Sequence, residues 1–437
     1  MSEGLQSANQ RQLLIALFER AIEAAQPHIC LPPYLPAAPK DGRLLIVGAG
    51  KAAAAMAQAA EQHYSDLDQL DSIEGFVTTR HGYSKPTKKI KILEAGHPIP
   101  DAASQAASLQ TLAYIASAKP TDSVLVLLSG GASALWSAPV DGITLIDKQN
   151  LTRQLLKAGA RIDEINCVRK HLSRIKGGRL AIAAATSGAT ILTCAISDVP
   201  HDDPAIIGSG PTVGDPSTLS DAREVLKRFS IDPPSAIRAA LENPEHETIK
   251  PDDPRLQEAG YRLIATPSAS LYSAAELARE HNFEIEILGD SIEGEASDIA
   301  RQHAALAKTA KAQGRRVAIL SGGELTVTIR GDGRGGPNQE YALALSQALD
   351  SEAGIVAIAG DTDGTDGGTG LPDDPAGALV TADTLQRATA ISLNPATMLA
   401  NNDSTTFFER LDDLVRTGPT QTNVNDFRAI LVGAQNC

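Results

Sequence analysis

Residues 43–63, RLLIVGAGKAAAAMAQAAEQH, decide the fold class of this chain. The stretch begins with a short apolar run that ends in glycines, which is typical of a buried strand followed by a tight turn. The alanine-rich part that follows is a strong helix former by composition. A strand, a glycine turn and a helix in this order form half of a βαβ unit, so the stretch predicts an α/β fold.

The same alternation of apolar strands and helical patterns continues along the chain on both sides of a polar, proline-containing stretch. It predicts two α/β domains with mostly parallel sheets: a Rossmann-like N-terminal domain over 1–242, a linker over 243–258 and a C-terminal domain over 259–437. Beyond the opening stretch, strands are predicted at 73–82, 122–131, 190–200, 262–268, 283–290, 315–329 and 354–361, and helices at 13–25, 103–118, 147–161, 219–229, 270–281, 295–313 and 338–350.

The charge balance and the polar N-terminus exclude several classes of partner. The 437 residues carry 39 Lys and Arg against 53 Asp and Glu, a net charge of −14, so we expect no nucleic-acid binding. No segment has the roughly 18–20 apolar residues of a membrane helix or an apolar signal core, so we expect a cytoplasmic protein without a membrane partner. The scattered Cys30, Cys167, Cys194 and Cys437 form no C-x-x-C pair and are expected to be reduced and structural.

Five polar loops each follow an apolar strand. In open α/β sheets, ligands bind beyond the carboxyl ends of the strands, so five such loops predict a large polar site. The loops are GAGK (48–51), SGGAS (129–133), SDVPHDDP (197–204), SGGE (321–324) and GDTDGTDG (360–367).

The GAGK loop has two interpretations. Gly48, Gly50 and Ala53 fit a permissive dinucleotide fingerprint, but the second strand ends at Arg80 without the acid that binds a ribose. Arg80 would suit only a cofactor with a 2′-phosphate. The other interpretation is a lysine, Lys51, at a helix start, where its charge and the helix dipole favour phosphate or carboxylate. A solvated lysine in a plain βα turn remains the alternative.

Two further loops have the composition of phosphate-binding segments. Ser129, Gly130, Gly131 and Ser133 offer small residues, amides and hydroxyls to a ligand, although a plain turn would look the same. Arg334 lies among four glycines on a loop that we expect to be mobile and accessible, where an arginine can stabilise a transferring phosphoryl group. An idle arginine at a hairpin tip is the alternative.

Two groups of acids are candidates for a magnesium site, since Mg²⁺ is usually held by one or two carboxylates plus substrate phosphates. Either group could supply them, and Asx turns are the alternative for both. The isolated histidines, His97 among them, are expected to be structural. The acids are Asp198, Asp202 and Asp203 in one group, and Asp361, Asp363 and Asp366 in the other.

Taken together, these stretches resemble the class II glycerate kinases, the glycerate 2-kinase family whose C-terminal part carries the MOFRL domain. The resemblance runs from about residue 45 to 430, with one departure at Gln421, where a glycine is expected. Its motifs are VGAGKAAAAMAQAAE (47–61), GHPIPD (96–101), LLSGGASAL (127–135), INCVRKHLSRIKGGRLA (165–181), ISDVPHDDPAIIGSGPT (196–212), LSGGELTV (320–327), GRGGPNQE (333–340), GDTDGTDG (360–367), NNDS (401–404) and TGPTQTNVND (417–426).

The resemblance implies ATP, a divalent ion, D-glycerate and transfer to the 2-hydroxyl, in a site between two α/β domains. Its lysine and arginine motifs point to Lys51 and Arg334 as catalytic residues. We assign both to the charge on the transferring group, and Asp198 and Asp361 to Mg²⁺. The base that takes the hydroxyl proton stays open between Asp198, Asp363 and Lys51.

The remaining assignments concern the ligand-binding loops and the rival functions. We expect the loops to hold phosphates or glycerate through Gly48, Gly50, Ser129, Gly130, Gly131, Ser133, Gly322, Gly323, Glu324 and Asn338. One rival is an NAD(P)H-dependent hydroxypyruvate reductase, a label given to some relatives. The other is a non-catalytic sensor of phosphorylated metabolites.

Overall fold

The computed structural model of the chain describes residues 2–368 and 373–433, with side chains from residue 9 onward, so Cys437 lies outside the described residues. The chain forms two compact units. The central unit is Pro27–Ile264, and the terminal unit joins the N-terminal residues up to Gln26 to the residues from Ala265 onward.

The strands alternate with helices along most of the described chain. The strands are β1 Leu44–Ala49, β2 Ile73–Arg80, β3 Ile90–Ala95, β4 Ser123–Leu128, β5 Thr190–Ile196, β6 Gly260–Ala265, β7 Glu284–Gly289, β8 Gly294–Glu295, β9 Val317–Ser321, β10 Leu325–Thr326, β11 Ile355–Asp361, β12 Gly377–Val380, β13 Leu414–Val415 and β14 Asp426–Val432.

The α-helices are α1 Ser2–Ala24, α2 Pro27–Cys30, α3 Ala53–Asp66, α4 Ala102–Ala116, α5 Ala132–Leu135, α6 Leu145–Lys157, α7 Ile162–His171, α8 Arg179–Ser187, α9 Leu219–Arg228, α10 Ser235–Glu242, α11 Pro267–Glu280, α12 Ala296–Ala312, α13 Pro337–Leu349, α14 Thr384–Ala390, α15 Pro395–Ala400 and α16 Ser404–Leu411. Short 3₁₀ helices lie at Pro32–Tyr34, Leu70–Ser72, Pro200–Asp202, Ile207–Ser209, Pro244–His246 and Pro254–Leu256. No helix in the described residues is long and apolar enough to cross a membrane.

The central unit is built on a six-stranded sheet of order β3-β2-β1-β4-β5-β6. The pairs β3–β2, β2–β1, β1–β4 and β4–β5 are all parallel, which confirms the α/β prediction for this unit. Strand β1 is buried along its whole length, as its continuous apolar run predicts. Because β1, β4 and β5 are neighbours and parallel, the loops that follow them lie at the same edge of the sheet.

The terminal unit contains a second six-stranded sheet, of order β13-β12-β11-β14-β9-β7. Here the expectation of a mostly parallel sheet is wrong: only β7–β9 is parallel, and the pairs made by β14, β11, β12 and β13 are antiparallel. The reason is the last strand, β14. Strand β14 lies between β9 and β11 and runs antiparallel to both. Strands β9 and β11 therefore run in the same direction, but they do not pair with each other.

Helices cover both faces of this second sheet. In β9, Val317 and Ile319 pack into a core with helices α12 and α13. Ala318 and Leu320, one residue out of step, pack into the other core with α1 and α11. The inner strands β9, β11, β12 and β14 are therefore apolar on both faces, which explains the continuous apolar runs in the sequence.

The units differ from the domains predicted from the sequence in two respects. The N-terminal helix α1 belongs to the terminal unit, because its Leu14 and Phe18 are fully buried against that sheet and α11. The predicted linker 243–258 is part of the central unit, where the backbone of Ile249 bonds to Gly177 and Asp215.

Candidate active site

The loops after β1 and β4 interlock at the carboxyl edge of the central sheet. The Lys51 N–H donates to the Gly130 carbonyl at 2.8 Å, and the Ala52 N–H donates to Ser129 Oγ at 3.0 Å. Gly50 has φ +143°, and a Cβ at this position would lie 2.0 Å from Ser129 Oγ. Gly50 is therefore required by the close approach of the two loops, and Ser129 accepts the N–H of the residue just before helix α3.

Lys51 and a histidine lie together above the second loop. A Cβ on Gly131, whose φ is +83°, would meet His97 Nε2 at 2.9 Å and Lys51 Cγ at 3.4 Å. No backbone hydrogen bond in the described residues takes the N–H of Gly130 or Gly131. The loop thus combines a lysine, an imidazole and two amides, which suits an anionic group.

His97 is a residue that sequence reasoning missed as part of the site. It was expected to be a structural histidine, because the histidines are isolated in the sequence and no H-E-x-x-H motif occurs. It lies just beyond the end of β3, at the same edge of the sheet as Lys51. The available signal was its position after a strand, in the GHPIPD motif at 96–101.

The loop after β5 holds Asp198 and carries backbone strain. His201 and Asp202 both adopt left-handed conformations, with φ of 62° and 54°. Such residues cost on the order of 1–3 kcal/mol each and cluster at functional sites. Asp202 Oδ1 is buried without a hydrogen-bond partner in the described residues, while Asp198 is partly exposed.

The Asp198 loop fits a magnesium ion in one respect. A buried carboxylate oxygen without a partner, beside a second carboxylate in the same loop, is the donor chemistry that Mg²⁺ accepts together with substrate phosphates. In the described residues, no group of three or more His, Cys, Asp or Glu side chains could hold a metal ion by itself.

In the terminal unit, the GDTDGTDG loop is shaped by its own acids. Asp361 Oδ1 accepts the Asp363 N–H at 2.8 Å, and Asp363 Oδ1 accepts the Thr365 N–H at 2.8 Å and its hydroxyl at 2.9 Å. These are Asx turns, the alternative that the sequence left open. Asp363 is buried, whereas Asp361 is partly exposed.

Asp366, in the same loop, holds the start of helix α13. It accepts the N–H groups of Asn338 at 2.9 Å and Gln339 at 2.8 Å. Burial, with a further contribution from the nearby Asp426 carboxylate, raises the pKa of Asp366 to about 7. Asn338 is itself buried and donates to Asp426 Oδ1 at 2.6 Å. In this structure Asn338 therefore ties the unit together rather than lying open to a ligand.

The SGGE loop follows β9 in the terminal unit. Gly322 donates its N–H to the Gly289 carbonyl at 2.8 Å. Gly323 has φ +101°, and a Cβ there would lie 2.2 Å from the Ile292 backbone nitrogen. Both glycines are needed for close backbone packing, and Glu324 beside them is exposed.

Arg334 lies on the surface of the terminal unit, and the glycines of its loop pack closely against a neighbouring segment. A Cβ on Gly333 would lie 2.4 Å from the Asp403 side chain, and one on Gly335 would lie 2.2 Å from Ser404 Oγ. These glycines let the loop pack against residues 401–404. The Arg334 side chain is 64% exposed and pairs with Glu409 at 3.0 Å.

The predicted site residues therefore form two groups. Lys51, the 129–133 loop and the Asp198 loop share one edge of the central sheet. Arg334, the 321–324 loop, Asn338 and Asp361 belong to the terminal unit.

Two family models match the chain. One, described as "Domain of unknown function (DUF4147)", matches residues 13–242, and the other, described as "MOFRL family", matches residues 317–426.

Full-length relatives carry two different names. A protein of Agrobacterium vitis named "Putative hydroxypyruvate reductase" is 46% identical over 430 residues, which cover 97% of this chain and 94% of that protein. A glycerate 2-kinase of Pyrococcus horikoshii is 39% identical over 403 residues, covering 90% of this chain and 88% of that protein. The crystal structure of a glycerate kinase of Thermotoga maritima matches with a TM-score of 0.86 at 36% identity, covering 97% of this chain and 100% of that chain.

Proposed function

The chain belongs to the glycerate 2-kinase family that carries a MOFRL domain, and from this premise we propose that it transfers the γ-phosphoryl group of ATP to the 2-hydroxyl of D-glycerate. The family predicted from the sequence motifs is thereby confirmed. The observation that carries the proposal is the end-to-end similarity in sequence and fold to glycerate kinases.

In the proposed reaction, the 2-hydroxyl oxygen of glycerate forms a bond to the γ-phosphorus of ATP. The bond from that phosphorus to the oxygen of the β-phosphate breaks, and ADP leaves with the electron pair. The products are 2-phosphoglycerate, ADP and the proton of the hydroxyl group. Such transfers depend on positioning and on charge stabilisation rather than on covalent chemistry by the protein.

We assign the charge on the transferring group to Lys51 and Arg334. Lys51 is supported by its place above Gly131, next to amides that take no backbone partner. Arg334 is supported by its exposed guanidinium, which pairs with Glu409 at 3.0 Å and donates to Thr406 Oγ1 at 3.5 Å, at a surface where solvent screens the ion pair.

Of the three candidates for the general base that the sequence left open, we propose to keep two. Asp363 is buried and its carboxylate holds Thr365, so it is a poor proton acceptor for a substrate. Asp198, partly exposed at the sheet edge, and Lys51 remain the candidates.

We further propose that Mg²⁺ is bound with the ATP phosphates. Asp198 and Asp202 would hold it in the central unit, and Asp361 remains the candidate in the terminal unit. When bound, the ion would neutralise phosphate charge. Within the described residues, Cys30, Cys167 and Cys194 are buried and form no disulfide, in keeping with our proposal of a cytoplasmic enzyme.

A test of the proposed function separates the kinase from the reductase. The kinase forms ADP from ATP only when D-glycerate is present, and it does not consume NADH with hydroxypyruvate in the absence of ATP. Both reactions are followed by the absorbance of NADH, the first through a coupled ADP assay. NADH loss with hydroxypyruvate alone, and no ADP formation, would favour the reductase.

A further inference from the structure

A cavity of about 290 Å³ in the central unit is lined by cations that the proposed mechanism does not use. Three of them, Lys148 in α6, Arg169 in α7 and Lys176, line it together with Ser133. The chain as a whole has a net charge of −14, so this cluster of positive charges is opposite in sign to the protein as a whole.

None of these cations is neutralised by the hydrogen bonds that the structure gives it. Lys148 is 6% exposed, and its Nζ has no partner in the described residues. Lys176 is 1% exposed, and its Nζ donates to the carbonyls of Ser133 at 2.8 Å and Trp136 at 2.9 Å and to Ser133 Oγ at 3.3 Å, all neutral oxygens.

Arg169 follows the same pattern. Among the residues that the structure describes, its guanidinium donates two long hydrogen bonds, to the Ser133 carbonyl at 3.4 Å and Asn166 Oδ1 at 3.5 Å. The contrast is Lys170, one residue further, which pairs with Asp215 at 3.2 Å. Buried charges are normally paired, so the buried Lys148 and Lys176 and the half-buried Arg169, which meet neutral oxygens or no partner in the described residues, lack an anion.

The electrostatics show the cost of this arrangement. Burial, and then the positive charges of Arg169 and Arg179, lowers the pKa of Lys148 to about 7. Burial and the charges of Arg169, Lys148 and Lys170 lower the pKa of Lys176 well below its usual range. An anion in the cavity would reverse both effects, because an opposite charge favours the protonated amine.

The rim of the same cavity is apolar and open to solvent. Ile99, Leu156 and Ile162 line it and are 63%, 59% and 59% exposed. Large apolar side chains that are exposed around one cavity indicate a ligand with an apolar part.

The cavity adjoins the candidate active site. Ser133, on its wall, ends the loop that contains Gly131. Pro98, also on the wall, directly follows His97, whose ring lies with Lys51 above Gly131. A ligand in the cavity would therefore lie close to Lys51.

We propose that this cavity is the nucleotide subsite, in which Lys148, Arg169 and Lys176 bind the phosphates of ATP and the apolar rim packs on its base. The inference rests on the proposed function for the identity of the nucleotide. A polyanion joined to an apolar ring matches both halves of the cavity, whereas glycerate has a single charge and no apolar ring to cover the rim.

The test measures the binding of ADP by titration calorimetry, which needs no turnover. Lys148→Met removes a buried unpaired charge and keeps the length of the side chain, so it is expected to fold and to bind ADP about tenfold or more weakly. Lys157→Met, an exposed lysine of the same helix, is the matched control and should bind ADP like the wild type.

A second variant tests the rim independently. Ile162→Ala changes an exposed side chain, and it should weaken ADP several-fold while leaving the affinity for tripolyphosphate unchanged. The KM for D-glycerate is measured for Lys148→Met and for Ile162→Ala. Neither substitution should change it by more than about twofold. Unchanged ADP affinity in Lys148→Met, or a rise in the KM for glycerate instead, would overturn the inference. A wild type that binds ADP but does not phosphorylate glycerate would contradict the proposed function, and the two failures are thus distinct.

Discussion

At the scale of single residues, Lys51 is expected to act on the reaction and little on the fold. Its side chain lies above Gly131 at the edge of the sheet and is partly exposed, so truncation removes charge without opening the core. We predict that Lys51→Ala lowers kcat by about 10²–10³, the usual effect of losing one stabilising group for transition-state charge. Steady-state kinetics measures this, with thermal melting as the check on folding.

The matched control for Lys51 is Lys91→Ala, an exposed lysine on β3 of the same unit. It should retain wild-type turnover. Near wild-type kcat in Lys51→Ala would show that Lys51 has no part in the transfer.

The Arg334→Lys substitution tests whether the reaction depends on the geometry of the guanidinium group as well as on its charge. Arginine donates two parallel hydrogen bonds to phosphate oxygens, whereas lysine presents a compact point charge. We predict that Arg334→Lys loses most of kcat while ATP binding weakens less, because the contact strengthens in the transition state. The stability should change by no more than about 1 kcal/mol, since the side-chain contacts of Arg334, to Glu409 and Thr406, lie at the exposed surface.

Arg410→Lys, an exposed arginine of α16, is the control for the arginine-to-lysine change itself. If kcat is the same in Arg334→Lys and in the wild type, the Arg334 loop does not contact the reacting phosphate.

At the scale of elements, the start of helix α13 depends on a carboxyl group with an unusual pKa. The pKa of Asp366 is about 7 in the folded chain, against about 3.9 in an unfolded one. An acid whose pKa is raised by folding stabilises the fold fully below the unfolded pKa, and this contribution is lost as the pH rises through the folded pKa.

We therefore predict that the stability difference between the wild type and Asp366→Asn depends on pH. The free energy of unfolding of the wild type, relative to the variant, should be larger at pH 5 than at pH 8 by at least about 1 kcal/mol, less than the full shift would give. Urea unfolding at the two pH values measures it. A constant difference would mean that Asp366 titrates normally in the folded chain.

The elements also show what a sequence pattern can predict. Strands and helices with long apolar runs, such as β1 and α13, lie where the pattern places them. The close packing of the glycines around Arg334 was not predicted, because a glycine that permits flexibility and one that permits close packing look identical in sequence. The cations around Ser133 were missed as a site, since α6, α7 and Lys176 meet only after folding.

At the scale of the whole molecule, the two compact units do not follow the order of the residues along the chain. Helix α1 completes a core built from residues after Ala265, and β14 inserts between two strands that precede it in the chain. Both are contacts between distant parts of the sequence, and local hydrophobic periodicity cannot predict such contacts. The family, by contrast, was predictable, because its motifs recur in order from about residue 45 to 430.

The proposed requirement for Mg²⁺ belongs to this scale too, because ATP would carry several negative charges into an acidic protein. We predict that turnover disappears in excess EDTA and returns when Mg²⁺ is added above the chelator. The melting temperature in EDTA, measured alongside, controls for unfolding. Full activity in metal-free buffer would remove Mg²⁺ from the mechanism.

The central claim is that this chain phosphorylates glycerate at the 2-hydroxyl, and product analysis tests it most directly. Purified protein is incubated with ATP, Mg²⁺ and D-glycerate, and the product is examined by ³¹P and ¹H NMR. We predict one phosphomonoester whose phosphorus couples to the single proton on C2, which identifies 2-phosphoglycerate. Coupling to the two protons on C3, or no phosphomonoester at all, would contradict the account.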